Sequence, residues 1–120
     1  MRSEDFDADT AQTSGMQRFA AISSTLVGSQ GICAGYTVIE KNVTTGWHHH
    51  GNQETIIYVK SGQAKVRWGP QLQQEALAQA GSFVYIPAFL PHQEINPSPD
   101  TVSEWVIVRN GPEAIVVNLE

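Results

Sequence analysis

All four histidines of the chain fall in two places, Trp47-His48-His49-His50-Gly51-Asn52-Gln53-Glu54 and Pro91-His92. Imidazole nitrogen and carboxylate oxygen are the donor types that bind divalent first-row transition metals. His48 and His50 are two residues apart, so on an extended strand they share a face while His49 turns away. Glu54 follows as the carboxylate closest to them in the chain, and His92 arrives from a later segment. The spacing predicts a metal centre of His48, His50, Glu54 and His92, with Fe, Mn, Ni, Zn or Cu all compatible with the donors. Four protein ligands on an ion that prefers six leave positions open for a substrate, which separates a catalytic site from a closed structural one. Glu54, if it leaves the metal, could also serve as a general base.

The elements that must position these residues read as short β-prone runs broken by Gly, Pro and Asn. Candidate strands are Ile32–Ile39, Thr55–Val59, Ala64–Trp68, Ser82–Ile86, Gln93–Ile95, Ser103–Arg109 and Ile115–Leu119. The segment Gln71–Ala80 has a helix-like composition but follows Gly69-Pro70, and a turn leading into a strand suits it equally well. Pro97 must end the strand that carries His92, because it has no amide to give to a ladder. Many short strands with almost no helical pattern indicate an all-β sandwich or barrel. Residues 1–16 are acidic, small and polar and read as a flexible N-terminal arm, leaving residues 17–120 as a single domain.

The two histidine clusters resemble the paired motifs of the cupin superfamily. The first of those motifs is a Gly, then His-x-His, then a Glu three or four residues later and a further Gly, and here His48, His50, Glu54 and Gly62 correspond. The second is a Gly, five residues, Pro-x-Gly, two residues, His, three residues and Asn. Gly81, Pro87, His92 and Asn96 match it in every spacing, with Phe89 in place of the middle Gly. Counting forward from His50 puts Glu54 at the carboxylate position, whereas counting back from Gly62 puts Thr55 there. A bulge within Thr55–Ser61 would reconcile the two counts, and Glu54 is the better ligand of the pair.

The resemblance implies a cupin barrel, a double-stranded β-helix or jelly roll, and it is nearest to small bacterial cupins with a His-His-His-Gly-x-x-Glu signature. Such proteins are often described as similar to mannose-6-phosphate isomerase, although no Lys or Arg is anchored to the motifs to hold a phosphate. It also implies a homodimer. The expected function is that of a metal-dependent enzyme, dioxygenase-like or isomerase-like, on a small organic molecule held in the barrel. The alternative is a cupin that binds or senses a small ligand without turnover. Tyr36, on the strand leading to the first motif, and Phe89, beside His92, are the candidate pocket residues. The remaining aromatics, Trp47, Tyr58, Trp68, Phe83, Tyr85 and Trp105, read as barrel packing.

Composition narrows the partners. A net charge of −5 argues against nucleic acid and anionic membrane, both of which require basic patches. No apolar run is long enough to span a bilayer and the N-terminus has no signal-peptide core, so a cytoplasmic protein is expected. The single cysteine, Cys33, excludes an intrachain disulfide and lies in an apolar neighbourhood that predicts a buried, inert thiol.

Overall fold

In the computed structural model, which describes residues 1–119, ten strands form two five-stranded antiparallel sheets. The strands are β1 (Gln17–Ile22), β2 (Ile32–Ile39), β3 (His48–His49), β4 (Thr55–Ser61), β5 (Gln63–Trp68), β6 (Gln74–Gln79), β7 (Phe83–Ile86), β8 (His92–Ile95), β9 (Ser103–Asn110) and β10 (Val117–Asn118). The first sheet runs β1-β2-β9-β4-β7 and the second β10-β3-β8-β5-β6. Apart from β1-β2 and β5-β6, neighbours in space are distant in sequence, as in a jelly roll, so the all-β barrel expected from the strand pattern is the architecture found. Among the described residues one turn of α-helix, α1 (Ser24–Val27), interrupts it, closed by Ser23 at its start and by Gly28 in the left-handed conformation at its end.

Side-chain alternation divides the interior into two halves. Ile39, Ile57, Val59, Val66, Ile86, Trp105 and Ile107 fill one half and are almost wholly buried. Each contributes roughly 1.5–3 kcal/mol by leaving water. Trp105 satisfies its indole N–H through Ser103 Oγ at 2.6 Å, and that hydroxyl donates in turn to the Gln63 carbonyl at 2.6 Å. The other half is polar: Arg18, Thr37, Thr55 and Arg109 from the first sheet face His48, His50, His92 and Glu94 from the second. Hydrophobic burial secures one end of the barrel and leaves the other to chemistry.

Several sequence expectations are refined. Segment Gln71–Ala80 becomes a short 3-10 turn and then β6, paired along its length with β5. β1, which no run of branched residues announces, pairs with β2 and is bulged between Ala20 and Ile22. Part of the N-terminal segment touches the barrel. Asp7 bridges Ala20, Gln12 exchanges hydrogen bonds with the Arg18 backbone, Thr13 is buried, and Met16 joins the core. Phe83 and Tyr85 are not packing residues, because they occupy the outward positions of β7 and are largely exposed.

Glycine is required at Gly62, between β4 and β5. Its φ of 77° is left-handed, and a Cβ there would stand 2.6 Å from the Val102 carbonyl oxygen.

Candidate metal centre

β3 and β8 are antiparallel neighbours in register at His48 and His92, which sets these two imidazoles side by side with ring centroids 4.4 Å apart. His50 lies one alternation beyond His48, and its ring is 5.1 Å from His48 and 5.2 Å from His92. The carboxylate that joins them is Glu94, two residues after His92 and on the same face of β8. One ligand atom from each of His48, His50, His92 and Glu94 lies within 4.8 Å of all the others, and all four side chains are buried.

The rings are fixed from behind. Nδ1 of His48 faces the Gly46 carbonyl at 2.8 Å, Nδ1 of His50 the Ile115 carbonyl at 2.9 Å, and Nδ1 of His92 the Leu90 carbonyl at 2.8 Å. A carbonyl only accepts, so each Nδ1 carries the proton and each Nε2 turns a lone pair inward. Glu94 Oε1 sits 3.0 Å from His48 Nε2 and 2.8 Å from His92 Nε2. Four electron-rich atoms thus converge in a dry interior where they would repel one another. A proton answers one such pair at a time, whereas a divalent ion answers all four, so the donor set fits a transition metal.

The electrostatics agree. Burial works against the Glu94 charge, but a proton shared with the facing His48 and His92, where a metal would otherwise sit, supplies attraction and hydrogen bonds that outweigh it and hold the carboxyl well below the usual carboxylate range. Burial, followed by the nearby Arg109 charge, lowers His50 to about 2, so this imidazole stays neutral, as a ligand must. The Arg109 guanidinium lies 3.3 Å from His50 Nε2 through Nη2 and donates to Thr55 Oγ1 from Nε at 3.0 Å. Burial lowers Arg109 to about 10, with the Arg18 charge adding to the effect, and burial lowers Arg18 also.

Glu54 is not brought to this cluster, which corrects the carboxylate chosen from the sequence. β4 begins with Thr55 facing inward and fully buried, so Glu54 faces out, where it accepts a hydrogen bond from Tyr85 Oη at 2.6 Å. Out there it reaches neither a metal nor a substrate in the barrel, so the general-base role has no geometric support. A register shift does occur in β4, between Val59 and Ser61, but it leaves Thr55 as the inward residue. Gln53 is drawn inward to a different task, since its amide nitrogen donates to the Asn110 and Glu113 carbonyls at 2.7 Å and its oxygen accepts from the Ile115 amide. That clamp holds the carbonyl that orients His50.

His49 turns away from the cluster and accepts the Gly51 amide at 3.0 Å. Cys33 is buried, and burial raises its thiol. Tyr36 sits toward the outer side of β2, where its hydroxyl donates to Glu104 at 2.6 Å and receives Lys60 at 3.3 Å, although part of it lines the cavity beside Arg18. Phe89 stands at the rim, 63% exposed, with its amide on the Gly51 carbonyl at 2.8 Å.

Phe89 has a left-handed φ of 62°, which explains why Gly fits the corresponding motif position. An L-residue pays about 1–2 kcal/mol to hold that conformation. Phe89→Gly is therefore expected to stabilise the fold by about 0.5–1 kcal/mol after the greater freedom of unfolded glycine is deducted. Chemical denaturation checks this, and a loss of stability would show that the ring supports the rim by packing.

The sequence profile described as the cupin domain matches residues 35–109. The chain is a cupin. Among curated protein sequences none matches at a significant level. Solved structures confirm the fold. Oxalate decarboxylase from Bacillus subtilis superposes with a TM-score of 0.78 at 20% identity over 92% of this chain. The cupin spans only 29% of the length of that enzyme. The polyketide cyclase RemF from Streptomyces resistomycificus superposes with a TM-score of 0.74 at 19% identity, covering all of this chain and 85% of its own.

Proposed function

We propose that this cupin is a metal-dependent enzyme acting on a small organic molecule inside the barrel, with a divalent transition metal held by His48, His50, His92 and Glu94. The observation that carries the reading is the convergence of three Nε2 atoms and one carboxylate oxygen, each oriented from behind by the backbone or by a neighbouring strand. Once bound, such an ion supplies Lewis acidity at a substrate oxygen, and with iron or manganese it supplies redox capacity. The protein's own share is to fix the three imidazoles, to keep Glu94 ionised, and to exclude bulk water from the polar half of the barrel.

The reaction class best suited to this arrangement is dioxygenase-like, with isomerase-like chemistry next. A mixed nitrogen and oxygen donor set with room for further ligands suits iron or manganese. Bacillus subtilis oxalate decarboxylase has Mn(II) centres, which makes manganese the first ion to try. The test is elemental analysis of protein purified without an affinity tag, joined to turnover assays on small acids, diketones and phenols before and after chelation. A bound ion at stoichiometric level and turnover that chelation removes are the expected results. Turnover that survives complete metal removal would sink the proposal, and a fully loaded protein without turnover would support a binding or sensing role.

The lone buried cysteine suits a reducing cytoplasm. No helix among the described residues is long and apolar enough to cross a membrane.

A homodimer belongs to the same proposal. Ile56 pairs with Tyr85 and Tyr58 with Phe83 across β4 and β7, which places a continuous apolar and aromatic strip on the outer face of the first sheet. Phe83 is 72% exposed there, and patches of this kind mark association surfaces. Light scattering is expected to give a dimer for the native chain and a monomer for Phe83→Asp. A monomeric native chain would refute the pairing.

A further inference from the structure

Two arginines lie inside the barrel, and neither belongs to the metal-ligand set. Arg18, on β1, is 5% exposed and Arg109, on β9, is 8% exposed. Arg109 donates from Nε to Thr55, and its Nη2 lies 3.3 Å from His50 Nε2, an acceptor that a bound metal would take over. Arg18 donates from Nη1 to Thr13 Oγ1 at 2.7 Å, but its Nε and Nη2 are buried without an acceptor. Those two nitrogens form one edge of the guanidinium, the parallel pair of donors that grips a carboxylate in a planar, two-point contact.

Charge leads to the same place. Glu94 is the only buried acid among the described residues, so two buried cations face one buried anion even before a metal adds its own charge. Uncompensated charge in a low-dielectric interior is costly, and an anion bound between the guanidiniums removes the excess. Both arginines line a cavity of about 30 Å³, together with Cys33, Thr37, Ile107 and Glu113, whose carboxylate is taken up by the Thr25 hydroxyl. That space takes a carboxylate group or one or two waters, and is too small for a sugar ring or an aromatic acid's ring.

We propose that the ligand of this cupin is a small carboxylic acid, bound as its anion with the carboxylate on the Nε and Nη2 edge of Arg18 and with Arg109 supplying the second positive charge. The inference rests on the metal-centre reading for its view of the barrel as the reacting site, and it names the substrate class of that site. Arg18 is a binding residue here and does not ligate the metal.

The test is calorimetric titration of the metal-loaded protein with formate, acetate, oxalate and malonate, with their neutral amides, and with inorganic phosphate. Metal content is measured separately on each sample. At least one carboxylate is expected to bind about 10–100-fold more tightly than its amide, the loss appropriate to a charge-assisted contact. Arg18→Gln is expected to lower carboxylate affinity by the same factor while metal content stays as in the native protein. Arg18→Lys, which keeps the charge without the planar fork, is expected to fall between them.

Equal affinity for acids and amides overturns the proposal, as does carboxylate binding that Arg18→Gln leaves unchanged. Tighter binding of phosphate than of every carboxylate overturns the assignment to carboxylic acids. The comparison of acids with amides uses only the native chain, so a variant that fails to fold does not remove the test. A native protein that takes up no metal but binds carboxylates through Arg18 refutes the metal-dependent reading and supports the anion site. One that loads metal and ignores carboxylates does the reverse.

Discussion

Replacing Glu94 with glutamine is expected to lower affinity for a divalent transition metal by roughly 100-fold or more, while Glu54→Gln leaves it unchanged. A group that merely orients a metal ligand is worth about 10–100-fold in affinity, and Glu94 provides a ligand atom and the one negative charge of the cluster. The substitution keeps side-chain volume, and the backbone at this position stays tied to Thr45 through a 2.9 Å bond from the Thr45 amide and a 3.0 Å bond to its hydroxyl. A glutamine amide can donate to one of the facing Nε2 atoms, so the fold should survive the change. Metal titration by calorimetry, with thermal unfolding as the control for folding, measures both variants. If Glu54→Gln abolishes binding and Glu94→Gln does not, the carboxylate has been assigned to the wrong strand.

The difference between the two glutamates shows where the sequence was legible. His48 and His50 could be paired because alternation along a strand needs no knowledge of neighbouring strands. His92 could be added because the second cupin motif matches at every spacing. Glu54 was chosen by counting along the first motif, and that count depends on where β4 begins. Thr55 begins it facing inward, and the face of Glu54 follows from that. The rule that joined His48 to His50, applied to His92, selects Glu94.

The arginines were hidden for a different reason. Arg109 continues the inward series Ser103, Trp105, Ile107 on β9, yet a charged residue at a strand end ordinarily reads as solvated. Arg18 lies on a strand that local pattern does not announce, because Gln17-Arg18-Phe19-Ala20-Ala21-Ile22 has a single β-branched residue. Only the ladder with β2 reveals that its guanidinium faces the metal ligands' half of the barrel. Local pattern locates strands and faces, and polar interiors become visible only when the sheets close.

Asn96→Ala is expected to cost about 3 kcal/mol of folding stability, more than most single changes. Asn96 closes the second motif and is fully buried. Its amide nitrogen reaches the Ile39, Glu40 and Thr101 carbonyls at 3.1, 3.2 and 2.8 Å, and its oxygen accepts the Ser98 amide at 3.1 Å. One side chain thus ties the end of β2 to the Pro-rich turn before β9, and truncation would leave several backbone groups seeking partners at about 1–3 kcal/mol for each that stays unpaired. Asn96→Asp should be worse than alanine, since a carboxylate would face three acceptors with nothing to donate. Urea unfolding should show both losses as a lower midpoint at an unchanged slope. The metal ligands lie on β3, on His50 just after it and on β8, ahead of this knot, so the folded fraction of the alanine variant should still take up metal. A loss below about 1 kcal/mol, no more than a single ordinary hydrogen bond, would mean that the turn is held by other contacts.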